Sequence, residues 1–262
     1  MKAVKKLYLS LILLFMYAPI VVLILYSFNA SRSRADWGGL SLRWYQALFH
    51  DSAIMADLRT TLIVAVLSAL ISTVIGTVAA VGIYSLEKWK RKLALGVNNL
   101  PVLNPDIVTG ISLMILFTFF YNTLGIFKLG FATLLIAHIT FNTPYVILSI
   151  IPKLRQMDQN LYEAALDLGA TSTYAFFHVI IPQIQPGIIT GAILAFTLSL
   201  DDFVISFFNT GSGVSTLSIR IYSMARRGVN PEINALSTIL FLAVMLLLIL
   251  INRRDSNELQ TL

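Results

Sequence analysis

The 262-residue chain has no cysteine, only 12% charged residues and three histidines. Soluble domains carry about 25% charged residues, so half that share leaves too few charges to solvate a globular surface. The lack of cysteine excludes a disulfide-stapled secreted domain. No Gly-Lys dipeptide occurs, which removes any phosphate-cradling P-loop. No Gly-x-Ser-x-Gly elbow occurs either. His50, His138 and His178 are scattered without ligand spacing, and no cysteine completes a metal set. Nothing in the chain looks catalytic, and no metal or cofactor of its own is expected.

What is abundant is apolar: 57% hydrophobic residues and a mean hydropathy of +0.79. Disordered chains are poor in such residues. The class is an all-α integral membrane protein. A helix needs about 20 residues to cross the hydrocarbon core, and six stretches qualify: 7–28, 61–84, 93–120, 131–151, 187–208 and 235–251. Prolines interrupt several of them: Pro19 the first, Pro101 and Pro105 the third, Pro144 the fourth. The first is too long for a signal-peptide core and lacks a small-x-small cleavage site, so an uncleaved anchor is expected. The whole of 1–262 is read as one transmembrane domain.

The net charge of +6 does not point to nucleic acid, because the basic clusters adjoin apolar runs. Lys2, Lys5 and Lys6 precede the first span, and Lys88, Lys90, Arg91 and Lys92 follow the second. Such clusters set topology, and they lead us to expect both termini inside, in the cytoplasm. In the first outer loop, 41–58 is amphipathic, with Leu42, Tyr45, Leu48 and Phe49 at helical spacing. A short surface helix is expected there, and a second weakly amphipathic piece around 217–224.

The inner loop 152–185 is long but organised. Asn160 is placed to cap a helix starting at Leu161, with Glu163 at its third position. Leu161, Ala164, Ala165 and Leu168 share one face, and Gly169 supplies a left-handed stop. Thr171 begins a second short helix, 174–180, which Pro182 is expected to end. Residues alone leave two readings open: a knob that another protein's groove grips, or a plain connector.

Ionisable residues inside a membrane cost about 2.5–3.5 kcal/mol each at a helix centre, so Asp106, Asp201 and Asp202 need reasons. On one continuous helix Asp201 and Asp202 lie about 100° apart. Asp201 then shares a stripe with Thr190 and Thr197, and Asp202 with Ser199, Ser206 and Asn209. Counted from Gly187, Asp201 sits about 21 Å along a core about 30 Å thick. These carboxylates can meet a cationic solute, or pair with Arg220 or an arginine of another chain. Asp106 after Asn104-Pro105, and Glu232 after Asn230-Pro231, are also explained as first-turn carboxylates behind a cap. Tyr121, Phe203, Phe207 and Tyr222 are aromatic neighbours available for cation–π contact. The small-residue rows Gly187, Gly191, Ala195 and Ser72, Gly76, Ala80 permit close helix approach, within this chain or to another.

Glu163-Ala164-Ala165, three residues, Gly169, nine residues, then Val179-Ile180-Ile181-Pro182 resembles the EAA motif of ABC importer permeases. Trp44-Tyr45, Asn104-Pro105-Asp106-Ile107-Val108, Ser199-Leu200-Asp201-Asp202-Phe203-Val204, Leu217-Ser218-Ile219-Arg220-Ile221-Tyr222-Ser223-Met224 and Pro231-Glu232-Ile233-Asn234-Ala235 narrow the resemblance to its spermidine/putrescine branch. The family has Ile and Leu where Val179 and Ile181 stand, and Arg226 and Arg227 add positive charge. The resemblance implies the six-span MetI-like permease fold and alternating access. It makes Glu163, Ala164, Ala165, Gly169 and Pro182 the coupling helices, and Asp106, Asp201, Asp202, Tyr222 and Glu232 the substrate path. It also implies a second permease subunit, two ATPase subunits that hold ATP and Mg, and an extracytoplasmic polyamine-binding protein. A proton-coupled secondary transporter is opposed by the lack of a visible internal repeat, and a scaffold leaves the intramembrane carboxylates idle.

Overall fold

The computed structural model describes residues 2–32, 36–158, 160–226 and 231–259. Beyond helices, one isolated antiparallel bridge, Asn29 to Leu40, occurs among them. The chain divides into two compact units, one made of residues up to Ala56 and from Arg220 onward, the other of Asp57–Ile219.

In the first unit α1 (Lys2–Ser27) packs on α12 (Pro231–Leu259), and α12 packs on α2 (Arg43–His50). The loop between α1 and α2 is built around buried Asn29. Its Oδ1 accepts from Ser31 N and Gly38 N, at 3.1 and 2.8 Å, and its Nδ2 donates to Asp36 O at 2.9 Å. Trp44 Nε1 donates to Asn29 O at 2.6 Å, and Tyr45 Oη lies 2.7 Å from Ser27 Oγ. The expected surface helix is therefore present but shorter than 41–58 and turned differently. Trp44 and Leu48 form its buried face, while Leu42 and Phe49 are exposed. The indole finds its acceptor inside, which a count of aliphatic spacing overlooks. Asp51 ends this helix and caps the next, accepting from Ala53 N and Ile54 N.

The second unit holds most of α3 (Ser52–Ser85), then α4 (Lys88–Leu103), α5 (Asp106–Leu124), α6 (Phe131–Gln156), α7 (Asn160–Asp167), α8 (Ser172–Ala175), a π-turn (Phe176–Ile180), α9 (Ile181–Asp201) and α10 (Val204–Asn209). α11 (Leu217–Arg226) crosses the division between the units. α6 is the axis of this unit. Ile150, Leu154 and Val146 on it are buried together with Ala80, Ile184 and Ala195. Both small-residue rows close on α6, which settles their partner as internal. A methyl added at Gly191 would stand 2.5 Å from Ser149 Oγ, one at Gly187 2.9 Å from Ser149 O, and one at Gly76 2.6 Å from Val146 Cγ1.

Five helices among the described residues are long and apolar enough to cross a membrane: Lys5–Ser27, Ser52–Ser85, Asp106–Leu124, Phe131–Gln156 and Ser172–Asp201. The apolar part of α12, Pro231–Leu246, is shorter and covers most of the expected sixth span. The third span is displaced from its expected 93–120. Residues 93–103 belong to the polar-started helix α4, and the crossing helix begins only at Asp106. Pro105 forces the break, since the residue before a proline is driven out of the α region. Asn104, with ψ 146°, accordingly ends α4 instead of capping α5. Gly125, with φ 71°, stops α5. The fifth span also differs from 187–208. It begins further back and ends at Asp201, with a separate short helix α10 beyond.

Candidate substrate path and coupling loop

The break at Asp202 is the feature that organises the site. Asp202 is extended (ψ 126°), so α9 ends before it and α10 begins just after. Its carboxylate turns forward and accepts from Ile205 N at 3.1 Å and Ser206 N at 2.7 Å. A helix broken in a membrane survives only where its freed backbone groups find partners; Asp202 supplies them for the start of α10. Its side chain is 7% exposed, and His138 Nε2 lies 3.6 Å from Oδ2. His138 Nε2 is also 3.0 Å from Ser206 Oγ. One turn along α6, Asn142 Nδ2 donates to Ser199 Oγ at 2.7 Å, and Ser68 Oγ lies 2.9 Å from Ser199 Oγ. A buried polar column thus joins α3, α6, α9 and α10.

Asp201 stands in the opposite situation. It is the last residue of α9 and is exposed. A helix C-terminus carries partial negative charge, which disfavours a carboxylate there and attracts a cation. The two aspartates are therefore not equivalent residues on one helix. Asp202 is a buried helix cap, and Asp201 is an exposed acid at a negative helix end. Phe203 stands in the break and Phe207 one turn into α10, ring centroids 5.3 Å apart.

Asp106 is exposed in the first turn of α5, behind Pro105. One turn on, Gly110 lets α5 approach α10: its O accepts from Asn209 Nδ2 at 3.2 Å, and an added methyl would meet Phe208 at 3.2 Å. Asp106, Asp201 and Asp202 thus belong to the second unit. Tyr222 and Glu232 belong to the first. Tyr222 is 41% exposed and has the Arg226 guanidinium 5.9 Å from its ring. Glu232 is half-buried in the first turn of α12. Asn230, its expected cap, and Arg227 lie outside the described residues. Sequence reasoning passed over His138 and Asn142. Their signal was present, since two polar residues four apart share one face of a helix.

The candidate coupling loop folds as two short helices around a glycine turn. α7 includes Asn160, so Asn160 is not the cap; Asp158 Oδ1 accepts from Asn160 N at 3.0 Å and fills that role. Gly169 has φ 87°, and Ala170 N donates to Ala165 O at 3.0 Å, closing a Schellman-type stop. Thr171 Oγ1 accepts from Tyr174 N at 3.2 Å and caps α8. Pro182 does not end the second helix. The chain stays helical from Ser172 to Asp201, through a π-turn in which Ile181 N donates to Phe176 O. A proline ring clashes with the carbonyl four residues back, and the wider π-turn just ahead of Pro182 relieves that crowding. Leu161, Leu168, Tyr174 and Phe177 are all exposed on this loop, Leu168 at 90%. Ala165, Leu168, Gly169, Ala170, Thr171 and Tyr174 line a shallow depression of about 510 Å³.

Residues 72–253 match the family model described as the binding-protein-dependent transport system inner membrane component. The chain belongs to that family. This permease is 42% identical to the putrescine transport system permease protein PotI of Escherichia coli K12, over 88% of this chain and 83% of that protein. It is 38% identical to the spermidine/putrescine transport system permease protein PotC of the same strain, over 92% and 90%. Its fold is that of ABC importer permeases. A bacterial ABC transporter that imports the acidic polysaccharide alginate gives a TM-score of 0.75 at 16% identity, covering 97% of this chain and 95% of that one. The inward-facing MetNI methionine transporter gives 0.62 at 20% identity, over 78% and 96%. The permease is thus a multi-pass inner-membrane transport component and not an enzyme.

Proposed function

We propose that this permease imports polyamines, spermidine or putrescine, as one of two transmembrane subunits in an ATP-driven importer. The observation that carries the substrate is its 42% and 38% identity to putrescine and spermidine/putrescine permeases, over more than four fifths of the chain. The exposed Asp201 at the negative end of α9 suits a polycation chemically. Its carboxylate and the α9 carbonyl end replace water around an ammonium group as it passes the break. Asp106 extends this path within the second unit, where Phe203 and Phe207 offer ring faces to the same charge; Tyr222 and Glu232 are further candidate contacts for the solute, taken by themselves in the first unit. Asp202 holds the break open as a buried cap.

An extracytoplasmic polyamine-binding protein delivers the solute between this chain and a second permease. Two ATPase subunits bind ATP and Mg, and their closure moves the loop of Glu163, Ala164, Ala165, Gly169 and Pro182. That reverses which side of the pore is open. The exposed apolar face around Leu168 supports docking against such a partner. The lysine cluster after α3 supports both termini facing the cytoplasm.

The test is spermidine and putrescine uptake into proteoliposomes that hold the chain with its partner permease and ATPase, with binding protein outside. Uptake that needs both internal ATP and the binding protein is the expected result. Uptake by this chain alone on a proton gradient would replace the reading with secondary transport. ATPase stimulation only by a binding protein loaded with some other solute would keep the importer and discard the polyamine.

A further inference from the structure

We propose that a cavity behind the coupling helix binds a zwitterionic ammonium-and-phosphate headgroup. The cavity measures about 480 Å³ and is lined by residues of α3, α4, α6, α7, α8 and the π-turn, all in the second unit. Its chemistry is divided. Arg91 brings a guanidinium and Glu163 a carboxylate, and Val81, Leu154 and Ile180 form an apolar wall.

The guanidinium is held but not saturated. It lies 4.7 Å from the Tyr84 ring centroid, and Nη2 donates to Leu86 O at 3.1 Å. Its Nε is buried and has no hydrogen-bond partner. Leaving such a donor unmet costs about 1–3 kcal/mol, and a phosphate in the cavity that Arg91 lines compensates the guanidinium with charge-assisted bonds. Among the described residues no ion pair joins Arg91 to Glu163, although both line the same space. A ligand with one anion and one cation neutralises each in turn. A purely anionic ligand leaves Glu163 repelling it, and a polyamine meets Arg91.

The position selects the source. The cavity lies where α3 ends at Ser85 and α6 ends at Gln156, beside Lys88, Lys90 and Lys92, where spanning helices meet water. A phosphatidylethanolamine headgroup fits there, its acyl chains leaving along the apolar wall. Because Glu163 lies on α7 and Arg91 on α4, the bound headgroup ties the coupling helix to the α3–α4 corner. The inference concerns a different ligand from the transported solute and stands apart from the polyamine reading.

The delipidated full chain in detergent is titrated with phosphatidylethanolamine, phosphatidylglycerol or free O-phosphoethanolamine, and binding is read by native mass spectrometry. Phosphatidylethanolamine is expected to bind best, and Arg91→Gln and Glu163→Gln each to weaken it about tenfold. Lys90→Gln removes the same charge outside the cavity, where Lys90 pairs with Glu87 at 3.1 Å; it should leave binding unchanged. Free O-phosphoethanolamine competing at equal concentration would support the same site with a soluble ligand as its source. Equal binding of phosphatidylglycerol, an effect of Lys90→Gln as large as that of Arg91→Gln, or no effect of either cavity variant would overturn the proposal.

Discussion

At the scale of single residues, the pair Asp201 and Asp202 divides into two jobs that adjacency conceals. Asp202 accepts from two backbone N–H groups at the start of α10 and lies against His138. Replacing it by Asn keeps one acceptor and loses the charge. Asp202→Asn should therefore lower chain stability by about 1–3 kcal/mol, read as thermal unfolding in detergent. Asp201 is exposed at a helix end that disfavours its charge. Asp201→Asn should leave stability within about 0.5 kcal/mol and cut polyamine uptake about tenfold by removing a charged contact. If the two variants traded places, with Asp201→Asn unfolding the chain and Asp202→Asn only slowing uptake, the assignment of cap and substrate acid would be reversed. The sequence made these carboxylates visible as intramembrane charges. It could not separate them, because their difference arises from a helix break of one residue, and an unbroken 3.6-residue period was assumed through it. His138 and Asn142 were missed for a related reason: their partners Asp202, Ser199 and Ser68 are distant in sequence and become neighbours only when α3, α9 and α10 gather on α6.

At the scale of helices, the close approaches on α6 explain which glycines are dispensable. A methyl at Gly187 would stand 2.9 Å from a backbone oxygen of α6, which has little room to yield. Gly187→Ala should destabilise the chain by about 1–3 kcal/mol, the range for overpacking. At Gly82, on the same helix as Gly76, nothing lies within 4 Å. Gly82→Ala should be neutral or stabilise by up to about 1 kcal/mol, the helix-propensity gain. Unfolding curves of the two variants, measured side by side, check the pair; a destabilising Gly82→Ala would show that another surface rests on α3 there. The helices themselves were largely legible, because long apolar runs and the Gly169 stop are local signals. Prolines were legible as irregularities but ambiguous in their effect. Pro105 broke its helix, whereas Pro182 was absorbed by a π-turn. The second outcome depends on how the chain behind it packs, as buried Ala175 and Ile180 indicate, and no local rule states that.

At the scale of the whole molecule, the question is where the free energy for pumping enters. On the importer reading proposed above, that work arrives through a contact with the ATPase subunits. The candidate coupling loop is suited to receive it. Its two short helices are each capped at their start, by Asp158 and by Thr171. The second helix of that loop runs without interruption through the π-turn into α9, whose far end is the break at Asp202. On the proposed reading, displacing the loop displaces one end of a continuous helix whose other end carries Asp201, the proposed substrate acid. Leu168, at the turn, is 90% exposed, and burying such a side chain in a partner's cleft is worth about 1.5–3 kcal/mol. Leu168→Asp removes that and sets a charge against the cleft, so co-purification of the ATPase should fall by about tenfold or more. The chain's own unfolding should not change, since Leu168 contributes nothing to its core. Uptake should fall in parallel with ATPase retention. Retained ATPase with abolished uptake would mean that Leu168 transmits motion without anchoring the partner, and retention of both would place the docking face elsewhere on the chain.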